Sequence, residues 1–320
     1  MRCVIGTLLL PPHSENVMAR PTNTDKVVIT CAISGVLATR KQCAGIPYTP
    51  AEIAAECKRA YDAGASVVHI HARNDDGSPT FEPSVFAAIK EEIRKLCPVI
   101  LNFSTGTITD DVTQQVEYIK TVRPEIGAVN MGSMNYAKYS ANKKQFVFDM
   151  IFPNPYSKIL KLLEAMKEAG VKPELECFDA GHTAGIQPLL DMGALSEPYQ
   201  FSFIVNVLGG IPGRIESLQL QTKIMPAGSE WEVIGISHGH WKMLASALVL
   251  GGNIRTGLED HLYLPNGEMA RNNGDLVEVA ARMTRDMGRE VATVEEAREI
   301  LDLGKLSAGR DAAIAVGHAG

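Results

Sequence analysis

The 320-residue sequence contains no block of five or more basic residues, and its formal charge is −6, from 31 Lys and Arg against 37 Asp and Glu. A polyanion such as a nucleic acid finds no concentrated footprint there. Aromatic residues make up only 6% of the chain, which leaves little for base stacking. No apolar run reaches the roughly 18 residues of a spanning helix, so no membrane segment is expected. The six cysteines (Cys3, Cys31, Cys43, Cys57, Cys97 and Cys177) form no CxxC pair, and Cys31 sits inside the apolar run VVITCAIS. In a chain this long, that usage reads as reduced, buried thiols in the cytoplasm, not as a disulfide framework. Two nucleotide signatures are also missing. The turn after the first apolar run reads SGVLATR, without GxGxxG, and GGIPG at 209–213 lacks the Lys-Ser/Thr of a phosphate loop.

What is present is a large supply of core. Hydrophobic residues make up 45% and are spread evenly, which excludes a disordered chain. Residues 1–25, broken by Pro11, Pro12 and Pro21, read as a poorly structured extension rather than a cleaved signal. From Lys26 the chain alternates short apolar runs with amphipathic stretches. Strands are predicted at 26–34, 66–73, 98–103, 126–132, 172–181, 200–209, 230–237 and 253–259. Helices are predicted at 49–64, 83–96, 109–122 and 154–170, in a short segment after 181, and at 213–224, 239–252, 272–288 and 293–303. The helix from Thr49 carries an N-cap, Pro50 in its first turn and Gly64 as its stop. Eight continuously apolar strands alternating with helices imply a parallel sheet. The count over about 280 residues favours a closed (β/α)8 TIM barrel, with the N-terminal extension and extra C-terminal helices, over an open doubly wound sheet. A single barrel domain is expected over 26–303, followed by a tail over 304–320.

In such a barrel, chemistry belongs at the carboxyl ends of the strands. Those ends carry His69, His71, Arg73, Asn102, Ser104, Thr105, Asn130, Glu174, Glu176, Asp179, His182, Asn206, Ser237, His238, His240, Arg255, Glu259 and Asp260. Burying such groups without partners costs several kcal/mol, so a ring of them points to a metal or catalytic site. On a strand, positions i and i+2 share a face. His69 and His71 therefore present two imidazoles side by side, a geometry suited to zinc, with Glu259 a candidate carboxylate ligand. The alternative is a histidine satisfied by a neighbour. Between His238 and His240 lies Gly239 at a strand-to-helix junction, where the same-face argument fails. His13 and His318 lie in the terminal segments. Arg255 and Asp260 read either as a structural ion pair or as a carboxylate base with the group that directs it. Met243, Met283 and Met287 read as helix packing.

The residues also carry a resemblance. The motifs VVITCAISG (27–35), PYTPAEIAAECKRAYDAGASVVHIHAR (47–73), NFSTG (102–106), NMGSMN (130–135), PELECFDAGH (173–182), VNVLGGIPG (205–213), NIRTGLEDHLYLPNG (253–267) and ATVEEAREIL (292–301) run in order along the chain. Over about Lys26 to Leu303 the chain resembles the β-keto acid cleavage enzymes, the family of the 3-keto-5-aminohexanoate cleavage enzyme. The resemblance implies a zinc-dependent barrel that converts a β-keto acid and acetyl-CoA into acetoacetate and a new acyl-CoA. It implies zinc on His69, His71 and Glu259, Asp260 as base and Arg255 as its partner. It places a hydroxyl for the substrate carboxylate at Ser104 or Thr105, and an acidic residue at Glu174 or Glu176, the latter assigned to the catalytic group. A further hydroxyl position falls near Asn130, which departs from the family's threonine. It also implies small-molecule partners and a homo-oligomer, a dimer or tetramer.

The implied chemistry suits these groups. A dication chelating both oxygens of a β-keto acid stabilises the enolate formed when C2 loses its proton. In the implied reaction Asp260, if within hydrogen-bond reach of C2–H, takes that proton. The enolate then attacks the thioester, and retro-Claisen cleavage releases acetoacetate. One departure bears on substrate choice. The aminohexanoate enzyme carries an acidic residue after the first strand, opposite the substrate's amino group, and the matching position here is Leu37. An ammonium there lacks a counter-charge, so a neutral aliphatic β-keto acid of roughly five to seven carbons is expected, each buried methylene contributing ~0.8 kcal/mol. Two other classes are weighed: a metal-dependent hydrolase of the amidohydrolase barrel type, which needs further metal-binding histidines, and an inactive barrel serving as a binding module.

Overall fold

The computed structural model describes residues 25–304. Apart from Asp25 and Gly304, the expected extension and tail, with Cys3, His13 and His318, lie outside the described residues. Eight parallel strands close into a barrel: β1 (Ile29–Ala32), β2 (Val67–Ile70), β3 (Ile100–Ser104), β4 (Ile126–Asn130), β5 (Lys172–Cys177), β6 (Gln200–Val205), β7 (Glu230–Gly235) and β8 (Asn253–Thr256). Closure is direct, with Arg255 of β8 opposite Thr30 of β1. The helices are α1 (Pro50–Ala63), α2 (Pro83–Leu96), α3 (Thr113–Val122), α4 (Tyr156–Ala169), α5 (Ala180–Ala184), α6 (Gln187–Asp191), α7 (Ile215–Ile224), α8 (His240–Val249), α9 (Asn273–Asp286) and α10 (Val294–Ile300).

The expected cap of α1 is present. The Thr49 hydroxyl accepts from the Glu52 backbone at 3.3 Å, Glu52 reaches back to the Thr49 N–H at 2.9 Å, and Gly64 ends the helix at φ 117°. Alternation along each strand sorts the side chains. Ile29, Cys31, Val68, Ile70, Leu101, Phe103, Phe201 and Phe203 face the helices in one large core. The opposite set fills the barrel. At its amino-terminal end, Val67, Ile100 and Ile126 pack against Ala297 and Leu301, so α10 and its flank close the bottom.

Three features depart from expectation. The first apolar run is split: Lys26–Val27 leaves the barrel and pairs in parallel with Glu290–Val291. The helix expected from Thr109 starts at Thr113, where Asp111 Oδ1 accepts from the Thr113 N–H at 2.9 Å. Between β4 and α4 an unforeseen antiparallel hairpin rises over the barrel mouth, Met134–Ser140 paired with Gln145–Phe152. The five cysteines in the described residues are free and buried. No helix among the described residues is long and apolar enough to cross a membrane.

Candidate active site

His69 and His71 project to the same side, their ring centroids 5.2 Å apart. Glu259 reaches them from the turn after β8, its Oε1 3.4 Å from His71 Nε2 and 3.8 Å from His69 Nε2. Two glycines permit this approach. At Gly257, φ 145°, a Cβ would fall 2.1 Å from the Ala32 carbonyl oxygen. At Gly35, φ 54°, it would fall 2.6 Å from Glu259 Cγ. Arg73, fully buried, donates to the carbonyls of Gly35, Gly77, Ser34 and Ala38 at 2.8–3.0 Å and so fixes the β1 loop around the carboxylate. Burial holds His69 well below the usual imidazole range, so it is neutral and able to ligate. Burial works to raise Glu259, yet Arg255, with His71 beside it, outweighs burial and holds the carboxyl ionised. Among the described residues, Glu259 Oε2 and His69 Nδ1 are buried without a hydrogen-bond partner. Two imidazoles beside a carboxylate with an open oxygen fit a divalent metal.

Arg255 is the hub of the charge network and is only 2% exposed. It holds Asp260 in a two-point pair, Nε to Oδ2 at 3.1 Å and Nη2 to Oδ1 at 3.0 Å. Nη2 also reaches Glu259 at 2.8 Å, and Nη1 reaches Glu176 at 3.5 Å. Burial pushes Asp260 and Glu176 up to about 7 against the pull of Arg255. Replacing Arg255 by Ala leaves three buried carboxylates without their cation. A loss of stability of about 3–5 kcal/mol is expected. Urea unfolding of Arg255→Ala checks it, and an unchanged midpoint contradicts it.

The choice between Glu174 and Glu176 resolves by depth. Both point inward, but Glu176 lines the cavity and Glu174 lies one layer below it. Glu174 accepts from Asn102 and, at 2.8 and 3.3 Å, from Ser202 and Gln200, which removes it from the expected substrate contacts. Sequence reasoning missed Glu232, pushed up to about 8 by burial and by Glu174. Ser202 Oγ lies 2.8 Å from Glu174 and 3.1 Å from Glu232 and so links the two carboxyls. The inward spacing of EWEV on β7 was the available signal.

Ser104 and Thr105 separate as well. Ser104 lines the cavity, its Oγ accepting from the Gly106 N–H at 3.3 Å and keeping its own proton for another partner. Thr105 turns away and donates to the Ala128 carbonyl at 2.5 Å, so it is not placed to bind substrate. Asn130 lines the cavity. Leu37, 55% exposed, stands at the cavity mouth rather than in the core. The cavity measures about 230 Å³. Its floor carries His71, Glu176, Arg255, Glu259 and Asp260, and its walls are mainly apolar, with Phe178, Ile204, Val207, Ile234 and Ile236.

The remaining histidines do other work. His240 is buried between β7 and β8, with Nδ1 2.6 Å from the Gly235 carbonyl and Nε2 2.9 Å from Thr256 Oγ1. The neutral ring is thereby fully satisfied, and burial lowers it to about 3. His182 accepts from the Phe178 N–H at 3.3 Å and packs on Gly132, outside the imidazole–carboxylate group. Met243 is buried and Met283 half-buried in the helical layer, whereas Met287 is 45% exposed and adds little packing.

Residues 26–303 match the model of the β-keto acid cleavage enzymes. The chain belongs to the β-keto acid cleavage enzyme family. It is 36% identical to the 3-keto-5-aminohexanoate cleavage enzyme of Fusobacterium nucleatum over 282 residues, covering 88% of this chain and 99% of that one. It is 30% identical to the 3-oxoadipate:acetyl-CoA acetyltransferase of Cupriavidus necator over 284 residues, covering 88% of this chain and 96% of that one. It is 29% identical to the 3,5-dioxohexanoate:acetyl-CoA acetone transferase of Paraburkholderia graminis, covering 87% of this chain and 96% of that one. Among solved structures, apo ObcA matches with a TM-score of 0.69 at 18% identity, over 81% of this chain and 66% of that chain, a likeness of fold. The family's barrel architecture is thus the one observed.

Proposed function

We propose that this family member condenses a neutral aliphatic β-keto acid with acetyl-CoA and releases acetoacetate and a new acyl-CoA. The observation that carries the reading is the pairing of an open imidazole–carboxylate ligand group, of which His71 and Glu259 line the cavity floor, with the Arg255-held Asp260 on the same floor. His69, His71 and Glu259 would hold the metal, which we take to be zinc from its preference for two imidazoles and one carboxylate. When bound, it supplies Lewis-acid stabilisation of the enolate. Asp260 takes the C2 proton, with Arg255 fixing the direction of its carboxylate. Ser104 and Asn130, which line the cavity, would hold the substrate carboxylate, the amide of Asn130 standing where the family's hydroxyl is expected. The buried free thiols fit a reducing compartment such as the cytoplasm. The hydrolase reading loses ground because His182 and His240 are engaged elsewhere.

The apolar walls and Leu37 support the choice of an uncharged acyl chain. An ammonium against these walls would lose hydration without a counter-charge. The native chain is expected to show a higher kcat/KM for β-ketohexanoate than for its 5-amino analogue, and Leu37→Glu is expected to shift the ratio toward the amine. A higher kcat/KM of the native chain for the amino compound contradicts this substrate assignment.

A further inference from the structure

The hairpin over the barrel mouth contributes Tyr136, Met150 and Phe152 to the cavity wall. Its position is fixed from below. Ala137 bridges to Leu208, and Gly209 lies so close that a Cβ would fall 1.9 Å from the Asn135 carbonyl oxygen. The Tyr136 ring is held by three others: stacked on Phe148 and tilted against Phe152, both at 5.8 Å between centroids, and edge-on to Phe178 at 6.3 Å. The hydroxyl is different. Among the described residues it has no hydrogen-bond partner. Burial, with the charges of Glu259, Asp260 and Glu176 behind it, pushes the phenol up to about 12, so it remains a proton-bearing donor at neutral pH.

Three other donors of the cavity have assignments. Arg255 directs four of its five N–H groups at three carboxylates. Ser104 and Asn130 serve the substrate carboxylate in the reaction proposed above. The second substrate brings a thioester carbonyl into the same cavity, and its oxygen must accept charge when carbon attacks. We propose that the Tyr136 hydroxyl donates the hydrogen bond that holds this oxygen, an inference that rests on the proposed reaction. The electron pair left at C2 by proton transfer to Asp260 forms the bond to the thioester carbonyl carbon. The carbonyl π pair moves onto oxygen, where the Tyr136 O–H stabilises the alkoxide and keeps its own proton. When that pair returns, the C–S bond breaks and sulfur leaves as the thiolate of CoA. A donor set in a largely apolar wall is preorganised, and a donor of this kind typically contributes about 10²–10³ in kcat.

Enolate formation precedes this step, so the two can be read separately. Tyr136→Phe keeps the ring contacts and removes only the hydroxyl. It is expected to lower acyl-CoA formation from β-ketohexanoate and acetyl-CoA by roughly 100-fold in kcat. Enzyme-dependent exchange of the C2 protons in D2O, metal content and the melting temperature are expected to stay at native values. Replacement of Tyr136 by 3-fluorotyrosine, which retains ring and donor, is expected to restore turnover. A Tyr136→Phe turnover within about 3-fold of native overturns the inference, as does a parallel fall of exchange and turnover, the signature of a disturbed wall. If the native chain exchanges C2 protons but forms no acyl-CoA, the reaction and the inference fall together. If it forms acyl-CoA and Tyr136→Phe does so equally well, only the inference falls.

Discussion

Asp260→Asn is expected to fold, to retain its metal and to lose at least ~100-fold in turnover, the usual scale of a general-base contribution. The side chain keeps its size, and one amide oxygen can still accept from Arg255 Nη2, which lies 3.0 Å from Asp260 Oδ1 in the native chain. The amide cannot take the C2 proton. Its NH2 also faces the Arg255 Nε–H that the native carboxylate accepts at 3.1 Å, so a modest loss of stability should accompany the kinetic defect. Turnover with β-ketohexanoate, elemental analysis and thermal unfolding on the same preparation separate these effects. Near-native turnover under chemistry-limited conditions removes Asp260 from the role of base.

The double variant His69→Ala/His71→Ala is expected to lose most of its metal, because Glu259 alone remains of the three ligands and Arg255 already occupies its Oε1 at 2.8 Å. Loss of the metal should abolish acyl-CoA formation, while the helix-facing core around Ile70 and Phe103 stays in place. Elemental analysis of native and variant protein decides it: one divalent ion per native chain, most of it gone from the variant. A double variant that retains stoichiometric zinc contradicts the ligand assignment.

The architecture was legible in the sequence because burial imposes periods on it. A strand covered on both faces must be apolar throughout, and eight such runs between amphipathic stretches leave few alternatives to a barrel. Capping signals were legible for the same local reason, as at Thr49, Pro50 and Gly64. The hairpin was not. Its second strand, Gln145–Phe152, is largely exposed and lies outside the main core, and no tight Asn-Gly or Asp-Gly turn marks its apex. What defines it is the pairing of its two strands and its docking onto the β6 loop through Ala137 and Leu208.

The site divides along the same line. The same-face placement of His69 and His71 follows from strand alternation alone, and the family motifs carry Glu259, Asp260 and Arg255 with them. Period two also places Glu174 and Glu176 on one face, but it says nothing about depth. Only the closed barrel puts Glu174 under the floor and Glu176 on it. Ser104 and Thr105 are adjacent, hence oppositely directed, yet which of them faces inward depends on register with the neighbouring strands, where Ser104 lies opposite Ala128. The convergence of three carboxylates on Arg255, and the arrival of Tyr136 above them from an inserted hairpin, join residues that are distant in the chain. The sequence by itself determined the barrel and the chemical types at its strand ends, because both follow from local periodicity. Which of those groups share one cavity was decided by strand register, barrel closure and loop docking, which are properties of the assembled fold.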